Sequence, residues 1–245
     1  LFGGVLIIGI YHFGIYLLRT SERAFLYFFL WTSLASLRLL FSGRYYPILD
    51  FIDIPFDMIV KIEYFTFYAA IPLFLKFIYE VFPLYVNKKL VNAFLIIGSV
   101  FSIGVWLLPL HTVTASLIIY QVLTTLGIAY VMRILYRVFK YRETGAFLFG
   151  LGVTVLSGVV IHDILTANNV LSAGYWFSAG FGIFVCFQSY LLAARFIRTF
   201  NKAEILGREL NYINVHLEKI VAERTEKLKS TNQELKKRNE EVENQ

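Results

Sequence analysis

Apolar residues fill most of this chain in long blocks separated by short polar joints, and the pattern changes character only near residue 200. A bilayer core of about 30 Å needs roughly 20 apolar residues as helix, because lipid offers no partner to an open backbone N–H or C=O. Seven blocks meet that measure: 1–18, 24–41, 59–82, 90–108, 115–136, 146–166 and 174–197. The joints between them are short. The pattern therefore predicts an all-α membrane protein with a seven-transmembrane helix bundle over residues 1–200. Pro72, inside the third block, removes one backbone donor and predicts a kink there.

Beyond residue 200 the periodicity becomes that of a polar rod. Apolar and small polar positions step through Leu206, Leu210, Ile213, Leu217, Val221, Thr225, Leu228, Asn232, Leu235, Asn239 and Val242. Two heptad stretches are joined by one inserted step of four, a stutter that locally unwinds a supercoil and shifts its seam. In the second stretch Leu228, Leu235 and Val242 hold one core position while Thr225, Asn232 and Asn239 hold the other. Polar residues there fix register at a cost in stability. The rod, 201–245, is thus expected to be a weak, parallel, dimeric cytoplasmic coiled coil. The competing reading is a single solvated helix held by pairs such as Glu223 with Lys227 and Glu234 with Arg238, each worth about 0.2–0.5 kcal/mol. Leucines at seven-residue spacing favour the dimer. At the join, Asn201 followed by Glu204 has the spacing of a helix cap and Gly207 weakens a helix, so either a break or a continuous helix is open.

Composition agrees with the membrane reading: 58% hydrophobic, 18% aromatic and only 16% charged residues, with a mean hydropathy of +0.63, lie outside the range of soluble domains. The net charge of +6 changes meaning once it is divided. Residues 1–202 hold 15 of the 23 basic side chains against 8 acidic ones, while residues 203–245 hold 8 against 9. The basic residues cluster at alternate joints: Arg19 and Arg23, Lys88 and Lys89, Arg137 with Lys140 and Arg142, then Arg195, Arg198 and Lys202. The second joint mixes Arg44 and Lys61 with Asp50, Asp53 and Asp57, and the fourth and sixth have no Lys or Arg. By the positive-inside rule the N-terminus is expected outside and the C-terminus in the cytoplasm. The same clustering argues against nucleic-acid binding. No signal-peptide pattern opens the chain, and it is expected to be a piece of a longer protein.

Ionisable residues in or near hydrocarbon are costly and mark candidate sites. Arg38, Lys61, Glu63 and Lys76 qualify. Glu63, about one turn into its span, is expected to pair with Lys61 or Arg38, and Lys76 to snorkel inward. His162 beside Asp163 lies near the outer end of the sixth span; with His111 and the joint aspartates it offers a metal or proton sensor, because imidazole titrates near neutral pH. The candidate ligand-binding residues are therefore Glu63, Arg38, His162 and Asp163, with no catalytic residue, metal site or cofactor expected. Small residues recur every fourth position at Ala146, Gly150, Thr154 and Gly158, and at Gly174, Ser178, Gly182 and Cys186. Such stripes let helices approach closely; packing within one bundle is expected ahead of a dimer seam. The single cysteine, Cys186, has no partner in the chain for a disulfide. The seventh span has no lysine for a retinal Schiff base, and metalloprotease, glycine-rich phosphate and nucleophile motifs are absent.

Three stretches together resemble a bacterial family: IYHFGIYLLRTSERAFLYFFLW at the first two spans, HDILTANNVL closing the sixth, and FQSYLLAARFIRTFNKAEILGREL running into LNYINVHLEKIVAERTEKLKSTNQEL. The family is the seven-transmembrane receptors with diverse intracellular signalling modules, and the resemblance covers essentially the whole chain. It implies an extracytoplasmic sensor domain before residue 1 and a cytoplasmic output after residue 245: a histidine kinase, a diguanylate or nucleotide cyclase, or a phosphatase. It carries no shared catalytic residues within the spans, and His216 lacks the sequence context of a kinase phosphoacceptor. The expected function is a non-enzymatic membrane sensor in the bacterial inner membrane, homodimeric through the rod, with the bundle as an open second surface. Its expected partners are membrane lipid and an unidentified ligand. The alternative is a transporter or channel subunit with a coiled-coil assembly tail; no inverted repeat or paired broken helices favour it.

Overall fold

A computed structural model describes residues 2–41, 53–143 and 145–243, with side chains through residue 233 and at Leu235. The described residues form seven α-helices: α1 (Phe2–Leu18), α2 (Arg23–Phe41), α3 (Phe56–Val81), α4 (Lys88–Leu107), α5 (Leu110–Lys140), α6 (Ala146–Ala167) and α7 (Phe177–Glu243). Six of them, α2 to α7, are long and apolar enough to cross a membrane; α1 is apolar but has 17 residues, about 25 Å of helix. By their contacts the residues fall into two units, Leu1–Leu192 and Ala193–Gln245.

In the first unit α3 holds the centre. It packs against α2, α4 and α5, while α1 packs on α2 and α6 on α5. The first turns of α7 join through Phe181 and Phe184, whose rings stand 4.9 and 5.0 Å from the Trp31 ring of α2. Large side chains also point outward along whole helix faces: Ile96, Val100, Ile103 and Leu107 on α4, Ile118, Ile119, Val122 and Leu126 on α5. So much exposed apolar surface is a liability in water and is solvated by lipid tails in a membrane. The protein is an integral membrane protein.

Pro72 lies inside an unbroken α3, and two neighbours accommodate it. Its missing N–H leaves the carbonyl of Tyr68, four residues earlier, without a helical donor; the Tyr120 hydroxyl of α5 donates to that oxygen instead. Its ring needs room, which Gly98 of α4 supplies: a Cβ there would strike Pro72 Cγ and stand 3.2 Å from the Tyr68 oxygen. Tyr68 in turn bonds Ser116 Oγ at 2.9 Å. With Val105 and Val113, the two tyrosines form a fully buried cluster.

The structure moves several expected boundaries. Helix α5 begins at Leu110 rather than 115, so His111 lies in its first turn and not in a joint. Pro109 caps this start, and Thr114 returns its hydroxyl to the Leu110 carbonyl at 3.0 Å, which lets polar residues ride on a helix. Helix α7 runs through Asn201 and Gly207 without a break, against the cap spacing at Asn201; a Cβ at Gly207 would meet nothing within 4 Å. The α5–α6 turn uses two left-handed residues, Arg142 (φ 53°) and Gly145 (φ 84°).

The small-residue stripes divide. Gly150 abuts the Phe139 ring of α5, but a Cβ at Gly158 or Gly174 would meet nothing, and Ser178 and Cys186 are exposed. The close α6–α7 approach is made off the stripes, by Gly152 against Gln188 and Phe187 and by Gly180 against Val159. Three of the four seventh-span stripe positions, Gly174, Ser178 and Cys186, are therefore exposed, and Gly182 is half-buried.

In the second unit the seam positions Leu206, Leu210, Ile213, Leu217, Val221, Leu228 and Leu235 are all at least half exposed in the single chain. Glu204 and Arg208 form an i,i+4 ion pair at 2.6 Å. The side chains of Asn239 and Val242, at the end of the expected seam, lie outside the described residues, as does Asp50.

Candidate functional site

The ends of α2, α6 and α7 and the first turns of α3 bring the four candidate residues to one rim of the bundle. Arg38, in the last turn of α2, donates to the Glu63 carbonyl at 2.9 Å and stands 3.6 Å from its carboxylate. Both side chains are about three-quarters buried (24% and 29% exposed). The pairing with Arg38 expected for Glu63 is present. The guanidinium also lies over the rings of Phe67 (5.6 Å) and Phe177 (5.8 Å), a cation–π arrangement that gains strength where water is scarce.

Phe177 is the first residue of α7, and its backbone carries the second half of the site. The Asp163 carboxylate accepts the N–H of Trp176 at 2.9 Å through one oxygen and that of Phe177 at 2.9 Å through the other. A helix start leaves such donors unsatisfied and carries partial positive charge, so a carboxylate from a neighbouring helix is a strong cap. His162 Nδ1 stands 3.0 Å from Asp163 Oδ1, and its ring packs edge-on against Trp176 at 6.1 Å. Arg38, Glu63, His162 and Asp163 thus converge on the first turn of α7. His111 makes no contact with this group, and among the described residues no three His, Cys, Asp or Glu side chains are placed to hold a metal ion.

A second buried polar group lies deeper, at a place that sequence reasoning did not single out. His12 of α1 is fully buried between Phe25 and Phe28 of α2, at 5.9 and 4.8 Å between ring centres. Its Nδ1 stands 2.7 Å from the Ile8 carbonyl, which accepts only, so that nitrogen carries the proton. Nε2 then accepts from Ser189 of α7 at 3.4 Å. The adjacent Gln188 donates to the Phe149 carbonyl of α6 at 3.4 Å, and its own oxygen has no partner. A polar face of α7 is therefore seated against α1 and α6, where an unpaired oxygen is costly. The adjacent Gln188 and Ser189 within FQSY were the available signal, hidden by the apolar run around them.

The opposite rim is built from the α3–α4 and α5–α6 joints. Tyr85 donates to Glu143 Oε1 at 2.8 Å, and the Tyr130 hydroxyl accepts the Asn87 N–H at 2.8 Å. The carboxylate partner, more than burial, holds the Tyr85 phenol above its ordinary range. Lys76 does not stand bare in the span: its ammonium lies 5.1 Å over Tyr79 and 5.7 Å over Tyr27.

No curated protein matches this chain. No solved structure matches it either. A family model described as 7TM diverse intracellular signalling matches residues 1–195. Such regions are membrane sensors of signalling proteins and are not themselves catalytic. With its apolar helices, interlocked aromatic core and charged rim at the start of α7, the chain belongs to this 7TM diverse intracellular signalling family.

Proposed function

We propose that this chain is the sensing and relaying part of a homodimeric bacterial receptor, with α1 as a seventh span, the Arg38 rim outside and the rod in the cytoplasm. A ligand or lipid change at the rim acts on Arg38, Glu63, His162 and Asp163. These residues hold the first turn of α7, so a change in their bonding rotates or shifts that helix. The rod carries the movement to an output domain, with the stutter near Val221 giving two seam phases that the rim biases.

The observation that carries this reading is the Asp163 carboxylate on the backbone of Trp176 and Phe177, at the head of a 67-residue helix. A bond to backbone positions the helix itself rather than one side chain. The exposed leucines of the rod support a second copy as the partner.

Cysteines placed singly at Leu228 and Leu235, with Cys186→Ser, test both halves in the full-length receptor in its native membrane. Disulfide crosslinks between copies are expected, with a yield ratio between the two positions that changes at least twofold in Asp163→Asn. Absence of crosslinking overturns the dimer. Crosslinking with an unchanged ratio would leave the rod a passive anchor.

A further inference from the structure

At the rim opposite the Arg38 group, a cavity of about 280 Å³ opens between the α3–α4 joint and α5, lined among others by Tyr85, Asn87, Leu90, Tyr130, Arg133 and Arg137. We propose that it binds the phosphate group of an anionic headgroup at the membrane surface.

Three sources of positive potential converge there. Arg133 and Arg137 stand one turn apart on the same face of α5, and among the described residues neither side chain forms an ion pair, a hydrogen bond or a ring contact. Like charges at i,i+4 repel; an anion between them reverses that term. The third source is the start of α4. Helix starts favour acidic residues, yet α4 has none in its first turn and opens on Lys88 and Lys89. The Asn87 side chain satisfies only the Lys89 N–H.

Position and size narrow the ligand. Arg133 lies about 10 Å before the end of α5 along its axis, at the level where a long side chain reaches headgroups from the edge of the hydrocarbon. Leu84 and Leu90 border the same cavity and are exposed, so an acyl chain has an apolar path beside the charged one. The volume falls just below the roughly 300 Å³ of the smallest drug-sized sites, which suits one headgroup. Arginine's planar fork matches two phosphate oxygens at once.

The test uses the full chain in nanodiscs of defined composition, read by native mass spectrometry for lipid that stays bound. Phosphatidylglycerol is expected to be retained over phosphatidylcholine. The Arg133→Gln/Arg137→Gln variant should lose about tenfold or more of that preference, the size of a lost charge-assisted contact. Arg133→Lys/Arg137→Lys should keep part of it. Arg19→Gln/Arg23→Gln, which removes two basic residues elsewhere, should change it less than twofold. Inorganic phosphate added at millimolar concentration separates two sources of the same chemistry: displacement of the lipid assigns the site to soluble phosphate compounds, and its failure to displace assigns it to lipid. The proposal is overturned if the arginine-to-glutamine variant retains both probes as the unaltered chain does, or if the Arg19 and Arg23 changes cost as much.

Discussion

At the rim where α7 begins, charge is answered inside the protein: Arg38 meets Glu63, and Asp163 meets two backbone donors. At the opposite rim Arg133 and Arg137 line a cavity and answer to nothing described in the chain. The two rims use the same residue types for different ends. A charge with internal partners fixes geometry, because every bond it makes restrains a helix; an open charge leaves the scaffold indifferent to it and acts on what arrives from outside. Arg38 and Asp163 should therefore matter to stability and signalling, and Arg133 and Arg137 to binding alone.

The largest effect that sharpens this contrast is expected from Asp163→Ala. It strips the cap from α7 and leaves two N–H groups without acceptors, at a cost of about 3 kcal/mol. Unfolding in mixed micelles measures this, and a loss under 1 kcal/mol would show that the carboxylate does not hold the helix. Next comes a paired comparison. Arg38→Ala should cost about 2 kcal/mol, below the range for wholly buried ion pairs because both partners keep some exposure, whereas Arg133→Ala should stay within about 0.5 kcal/mol of the unaltered protein. Equal losses would erase the distinction between the rims. The smallest effect concerns Tyr85, which is held in its protonated form by Glu143. A phenol whose folded pKa is raised contributes stability that is complete below its unfolded value of about 10 and fades as pH climbs through the folded value. The stability difference between the unaltered protein and Tyr85→Phe should be flat to about pH 10 and shrink above it; a difference that grows with pH would reverse the assignment.

Much of the membrane part was legible because hydrocarbon imposes its length on the sequence. The blocks from 24–41 onward all became helices, and Glu63 met Arg38, one of the two partners its depth in the span offered. Boundaries were harder. HTVT near Pro109 reads as a polar joint, but it lies in the first turns of α5, where the Thr114 hydroxyl bonds the Leu110 carbonyl one turn back. The stripe at Gly174, Ser178, Gly182 and Cys186 has the right period for packing, yet period gives a face and not the neighbour it meets. Asp163's main role was hidden for a related reason: its partners are backbone groups 13 and 14 residues away, brought near by a joint whose path leaves no pattern in side-chain chemistry. His12 escaped notice because one histidine in an apolar span carries no mark of burial until Ser189, 177 residues later, is placed beside it.

The proline of α3 has a consequence for how this sequence can drift. Pro72, Gly98 and Tyr120 sit on three helices, yet each is excused by another: the ring needs the missing Cβ, and the orphaned carbonyl needs the hydroxyl. Replacing Tyr120 by Phe alone strands an oxygen, while a chain that has already exchanged Pro72 for Ala supplies its own N–H and no longer depends on the hydroxyl. The order of substitutions thus decides which ones are tolerated. Along such a path an exchange of Pro72 is expected to come before any exchange of Gly98 or Tyr120.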